Sequence, residues 1–265
     1  MKVSTKLLSA AFGIFMLGVG TIWAQDTTQR NEMLLNGVSF INTPYVAGTL
    51  DVNAEEQLVL NTDEMDCTTF VENVLAMSLA EDANMVVNEM DFADWLTKIR
   101  YRDGKINGYT SRLHYATEWV SNGVKLGFLQ DITEFQSPYT LKVKLGYMTN
   151  HPTAYPLMAA STANLSGMRQ IESNISGTEI HFVPKEYLPD EGFVWIQNGD
   201  IILITSNVDG LDVAHMGIAV NIDGILTLLH ASSADKKVLV SRVSLREMLN
   251  RNRTWTGIRV VRMKK

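Results

Sequence analysis

The chain has 265 residues, 46% hydrophobic and 20% charged, a composition that excludes a disordered or collagen-like protein. That length fits one large domain or two small ones. The formal net charge is -6 and no basic stripe is present, which sets nucleic acid aside as a partner.

Lys2 and Lys6 precede an apolar run, Leu7 to Val19, and Thr21-Ile22-Trp23-Ala24 leads into the polar Gln25-Asp26-Thr27-Thr28. This is the form of a secretory signal peptide over residues 1–24, cut after Ala24. The run is short for a spanning helix, so cleavage is expected to leave no stable membrane span; the competing reading is a retained anchor. Without those residues the balance becomes 21 basic against 29 acidic, or -8. The expected location is the periplasm or the exterior. Residues 25–265 are expected to form one domain with a single cysteine, Cys67, and no internal disulfide. An odd thiol in an oxidising compartment needs a reason, and catalysis supplies one.

From about Asn31, residues 39–50 read as an extended approach to a loop punctuated by Pro44 and Gly48. Leu58-Val59-Leu60 reads as a short strand or turn. Thr62-Asp63-Glu64-Met65-Asp66 is rich in helix-capping residues, and Phe70, Val71, Val74, Leu75 and Leu79 follow at helical spacing. With Asp66 as the cap, Cys67 falls in the first turn, where free backbone N–H groups lower a thiol's pKa and can hold an oxyanion. The structural alternative is that Cys67 is a small buried hydrophobe.

A helix is expected from about Asp91 to Arg100, then a polar loop from Tyr101 to Tyr109. Leu113, Ala116, Trp119 and Val120 mark another helix that Asn122-Gly123 should end. From about Asp131 to Asp190 the signals are short and mixed, and Pro152, Pro156, Pro184 and Pro189 argue against long helices. After Val194, apolar β-branched runs recur: Ile201–Ile204, Met216–Val220, Ile225–Leu229, Val238–Val240 and Ile258–Val261. Turn residues separate most of them, which predicts an antiparallel sheet. Helices over about 25–190 and strands over about 191–265 give an α+β fold, an order that a papain-like half-helical, half-barrel architecture suits.

Asp223-Gly224 between Ile222 and Ile225 predicts a two-residue hairpin that fixes the register: 222 with 225, 220 with 227, 217 with 230. His215 and His230 then share one sheet face, with Gly217 leaving room between them. A one-residue slip would separate them. Taken singly, each histidine is more often a satisfied structural residue than a catalytic one. Together with the lone thiol they suggest a Cys–His dyad with an orienting third group. A metal site is the competing use, with Asp212 or Cys67 as a further ligand, but no HExxH or paired-cysteine spacing is present, and neither metal nor cofactor is expected.

Asp66-Cys67-Thr68-Thr69-Phe70-Val71, Asn198-Gly199-Asp200-Ile201-Ile202, Ala214-His215-Met216-Gly217-Ile218 and Leu229-His230-Ala231-Ser232 resemble, in order, the blocks of the NlpC-type cell-wall cysteine hydrolases. Residues 42–48 look like the Pro-Tyr loop of that superfamily, with Asn42 where many members carry Gly. Thr43 to Leu50, Met65 to Glu72 and Tyr109-Thr110-Ser111-Arg112-Leu113-His114-Tyr115 narrow the likeness to the N-acetylmuramoyl-L-alanine amidase-like branch typical of Bacteroides-type bacteria. The resemblance implies a papain-like fold and peptidoglycan or muropeptides as substrate. It implies Cys67 as nucleophile, His215 as base and His230 as orienting group. The Cys67 N–H and Tyr45 hydroxyl would serve the oxyanion, and Ser111, Arg112, His114 and Tyr115 the glycan or stem peptide. The reaction it implies is cleavage between muramic acid and L-alanine. An endopeptidase cutting next to D-glutamate, a thiol acyl transferase and an inactive wall-binding module are the alternatives. His151 and His181 are read as structural.

Overall fold

The computed structural model describes residues 31–81 and 86–265, so the expected signal peptide lies outside the described residues. The α-helices among the described residues are α1 (Glu32–Ser39), α2 (Cys67–Ala80), α3 (Glu89–Arg100), α4 (Ala116–Leu126), α5 (Thr133–Gln136), α6 (Tyr147–Asn150), α7 (Pro156–Ala159), α8 (Thr162–Ile175) and α9 (Leu245–Arg251). The strands are β1 (Leu129–Asp131), β2 (Thr140–Lys142), β3 (Glu179–His181), β4 (Val183–Pro184), β5 (Ile201–Ser206), β6 (Val213–Ile222), β7 (Ile225–Ser232), β8 (Lys237–Val240) and β9 (Trp255–Met263). No helix among them is long and apolar enough to cross a membrane.

The main sheet is antiparallel, in the order β1-β9-β5-β6-β7-β8, with β4 also paired to β9. Every β-branched run after Val194 became a strand. The sheet also recruits β1 and β4 from the first part of the chain, while α9 interrupts the second part, so helices and strands are less segregated than their order suggested. Ile201–Ile204 is apolar at every position because β5 is covered on both faces. Ile201 and Leu203 pack with Phe70, Val71, Val74 and Leu75 of α2, whereas Ile202 and Ile204 pack with Leu245 and Leu249 of α9. Phe70 and Val74 are fully buried, and truncating Phe70 to Ala costs about 3–5 kcal/mol.

Between the two parts, β2 and β3 form a small separate sheet. Tyr109, Tyr115, Val143, Met148, Met158, Met168 and Ile180 make a third apolar cluster there. The prolines of this region bracket its longest helix instead of interrupting it: α8 runs 14 residues between Pro156 and Pro184, capped by the Ser161 hydroxyl. The helix expected to stop at Asn122-Gly123 starts later, at Ala116, and continues to Gly127 (φ 86°), which takes the left-handed cap. Gly123 is there for close packing, since a Cβ would sit 2.4 Å from Leu129. Ahead of the stretch 39–50 read as extended lies α1, for which no element was expected; it is capped by Asn31, whose Oδ1 accepts from Leu34 N–H at 2.9 Å.

Candidate active site

Asp66 opens α2 with a reciprocal capping pair. Its Oδ1 accepts from Thr69 N–H at 2.8 Å, and Thr69 Oγ1 accepts from Asp66 N–H at 2.9 Å. Cys67 is thereby the first helical residue, and its own N–H has no intrahelical acceptor. Thiol chemistry differs from the expectation. Burial, followed by the neighbouring Asp66 carboxylate, pushes Cys67 up to about 11, and hydrogen bonds from Met216 and Cys67 backbone and from Thr68 only partly oppose this. Desolvation outweighs the helix terminus, so the resting group is a thiol.

The β6–β7 hairpin pairs Ile222 with Ile225 and Val220 with Thr227, the register Asp223-Gly224 dictates. Asp223 (φ 51°) and Gly224 (φ 85°) both take the left-handed backbone such a turn needs. His215 and His230 meet on this ladder, with Nε2 of His215 2.7 Å from Nδ1 of His230 and the rings edge to face. Gly217 makes this possible, because a Cβ there would lie 2.9 Å from the His230 Cβ and 2.8 Å from the Leu229 carbonyl. Trp255 stacks parallel on His215 at 5.7 Å. Burial pulls His215 down to about 3 and His230 down to about 4, the latter held up somewhat by Asp235. Both are neutral at pH 7. The two nitrogens engage each other instead of converging on a third point.

Cys67, Thr68, His114, Trp119, Asp212 and His215 line one cavity of about 90 Å³. With Nε2 of His215 bonded to His230, Nδ1 is the nitrogen left for chemistry there. Tyr45 is strapped beside Cys67: its N–H donates to the Lys236 carbonyl at 2.9 Å, and it bridges to Met65, two residues before Cys67. Its phenol is raised by burial first and then by Cys67 and Asp66, so it keeps its proton for donation. Asn42, at the start of this loop, has φ 71°, a conformation that favours Gly and tolerates Asn.

The segment 111–115 divides. His114 lines the cavity, and its Nε2 pairs with the Tyr109 carbonyl at 3.2 Å; burial, then Arg112, pulls it down to about 3. Arg112 is buried and finds its carboxylates within the protein, Asp51 at 2.6 Å and Glu56 at 3.1 Å. Ser111 accepts from Asn107 N–H at 2.9 Å and donates to the Gly108 carbonyl at 2.7 Å. The Tyr115 hydroxyl donates to Glu172 at 2.6 Å and accepts from Met148 N–H at 3.0 Å, inside the third cluster. Ser111, Arg112 and Tyr115 therefore do not line the cavity. His151 and His181 pair with the backbone carbonyls of Tyr147 and Ser137, both at 2.8 Å.

Two cavity roles escaped the sequence, which offered Asp212 only as a possible metal ligand and Trp119 only as part of a helix face. Asp212 caps α4 from outside, its Oδ2 accepting from Thr117 N–H at 2.7 Å. The indole N–H of buried Trp119 has no hydrogen-bond partner among the described residues. Only the ladder pairing Ser206 with Trp255 brings that second indole to His215, and no local pattern could reveal it.

Residues 36–258 match the family described as AmiA-like, N-acetylmuramoyl-L-alanine amidase-like. A crystal structure of an N-acetylmuramoyl-L-alanine amidase from Bacteroides uniformis is 54% identical (TM-score 0.87), covering 89% of this chain and all (100%) of its own. One from Bacteroides fragilis, described as a putative xylanase, is 51% identical (TM-score 0.84), over 87% of this chain and 100% of its own. A Legionella pneumophila protein at 24% identity (TM-score 0.67, 88% of each chain) shares the fold. No curated protein matches. The chain belongs to the N-acetylmuramoyl-L-alanine amidase-like family.

Proposed function

We propose that this protein is an exported, cysteine-dependent N-acetylmuramoyl-L-alanine amidase of the papain-like NlpC type. The observation that carries the reading is one cavity lined by Cys67 and by His215, whose far nitrogen is bonded to His230. For His215 to act as a base through Nδ1, its proton must sit on Nε2 and be donated to His230 Nδ1. His230 thus fixes the tautomer and steadies the imidazolium that forms.

Cys67 Sγ attacks the lactyl carbonyl of muramic acid while its proton passes to His215 Nδ1. Both groups are neutral at rest, so this transfer accompanies attack instead of preceding it. The Cys67 N–H and the Tyr45 hydroxyl hold the oxyanion. As the tetrahedral species collapses, His215 returns the proton to the amine of L-alanine, and the stem peptide leaves. Water then gives its proton to His215, attacks the thioester and releases the thiol. His114 contributes a neutral acceptor at the cavity wall, while Ser111, Arg112 and Tyr115 shape the segment that presents it.

Hydrolysis of a xylan by paired carboxylates is the reading suggested by the name of the Bacteroides fragilis relative. Among the described residues Asp212 is the single carboxylate lining the cavity, and it is bonded to two backbone N–H groups, Thr117 at 2.7 Å and Val213 at 2.8 Å, which disfavours that chemistry. A stem endopeptidase would use the same three residues. The test is mass spectrometry of muropeptides incubated with the mature protein and with Cys67→Ala. Free stem beginning with L-alanine, made by the wild type alone, is the expected product. Cys67-dependent cuts within the stem would replace the amidase by the endopeptidase, and no product would leave a wall-binding module.

A further inference from the structure

His215 is the one residue shared by two cavities. The cavity of Cys67 is about 90 Å³, well below the roughly 300–1,000 Å³ of small-molecule sites, so it holds the scissile group and little more. The second is a groove of about 690 Å³ lined by His215, His230, Trp255, the β7–β8 turn and the end of α9. Cys67 does not line it.

The charge of this groove runs against that of the protein. The whole chain carries -6, yet Lys237, Arg242 and Arg251 line the groove against the single carboxylate of Asp235. Asp235 is engaged by the Ser232 hydroxyl at 2.7 Å. Lys237 meets the neutral Asn42 Oδ1 at 3.0 Å, Arg251 shares Glu247 one turn earlier, and Arg242 has no carboxylate partner among the described residues.

We propose that this groove binds the carboxylate-bearing peptide half of the substrate, with Arg242 and Arg251 as its selectivity determinants. The inference rests on the reading of His215 as the group that protonates the leaving amine. The leaving half must then pass His215, and the groove begins at His215. A stem peptide containing glutamate and a free C-terminus is anionic, and it fits a cationic groove that a neutral glycan would not need.

The test is calorimetry on Cys67→Ala protein with three probes: an L-alanyl-D-isoglutamyl stem peptide with free carboxylates, its amidated counterpart, and a stem-free muramyl disaccharide. In Arg242→Glu/Arg251→Glu on the same background, the acidic peptide should bind roughly tenfold more weakly, while the amidated peptide changes little. On the Cys67-containing protein the same pair should raise KM for the acidic muropeptide and leave kcat unchanged. Equal affinity of both proteins for the acidic peptide would overturn the proposal, as would loss of affinity confined to the disaccharide. Failure of the Cys67-containing protein to release the stem would overturn the amidase reading instead, and the calorimetry decides the groove independently.

Discussion

Nε2 of His215 lies 2.7 Å from Nδ1 of His230, and one proton between them determines which nitrogen of His215 is free to act. An acceptor at residue 230 is therefore required, more than an imidazole as such. His230→Leu should lower kcat by roughly 10²–10⁴-fold with little change in KM, and His230→Gln should recover part of the loss. Steady-state kinetics of the two variants check this. Equal losses in both would mean that the ring acts through packing alone.

Cys67 is a thiol at rest because burial and Asp66 hold it up near 11. Alkylation of the free enzyme by iodoacetamide should be slow at neutral pH and should keep accelerating through pH 9. Asp66→Asn should move the profile to lower pH by removing the nearby negative charge, while retaining an amide oxygen to cap α2. A rate plateau already reached at pH 6 would indicate a preformed thiolate.

Gly217 separates the two imidazoles, and a Cβ there would meet Leu228, Leu229 and His230 at 2.8–2.9 Å. Gly217→Ala should cost about 1–3 kcal/mol in denaturant unfolding and abolish most of the activity of the folded fraction.

Arg112 links the Tyr45 loop to the helical part through Asp51 and Glu56. Glu56 is nearly inaccessible (3% of its side chain), so Arg112→Ala leaves a buried carboxylate without its cation and should cost about 3–5 kcal/mol. Arg112→Ala/Glu56→Gln should restore much of that stability in thermal unfolding. A single variant as stable as the wild type would show that Arg112 is not a structural clamp.

His114, His215 and His230 are held neutral by burial, at about 3, 3 and 4. The unfolded chain binds protons at these sites below pH 6.5, so their contribution to stability is present at pH 7 and is lost as pH falls towards their folded values. Each adds up to about 1.4 kcal/mol per pH unit over that window. His114→Gln should flatten the fall in unfolding free energy between pH 6.5 and pH 5 by about that slope.

What the sequence revealed was what local chemistry dictates. Capping by Asp66, the β-branched runs and the Asp223-Gly224 turn depend on neighbours within a few positions, and they placed α2 and β5 to β9. Six helices did not announce themselves: α1 is short, α5, α6 and α7 are single turns, α8 hides between prolines, and α9 is a brief helix inside a stretch of strands. Tertiary facts were illegible. Arg112 invites an external anion until Asp51 and Glu56 are seen beside it. Asp212 reaches Thr117 across 95 positions. The thiol shift of Cys67 has the opposite sign to the one its helix terminus suggests, because burial is a property of the whole fold.

Attack by Cys67 on the muramyl carbonyl is tested most directly by intact-protein mass spectrometry after rapid mixing with a muropeptide and acid quench. The expected result is a transient adduct with the mass of the muramyl acyl half, mapped to the Cys67 peptide and discharged by hydroxylamine. It should be absent from Cys67→Ser and greatly slowed in His215→Ala. Stem release at wild-type rate with no adduct, or undiminished release by Cys67→Ser, would contradict it.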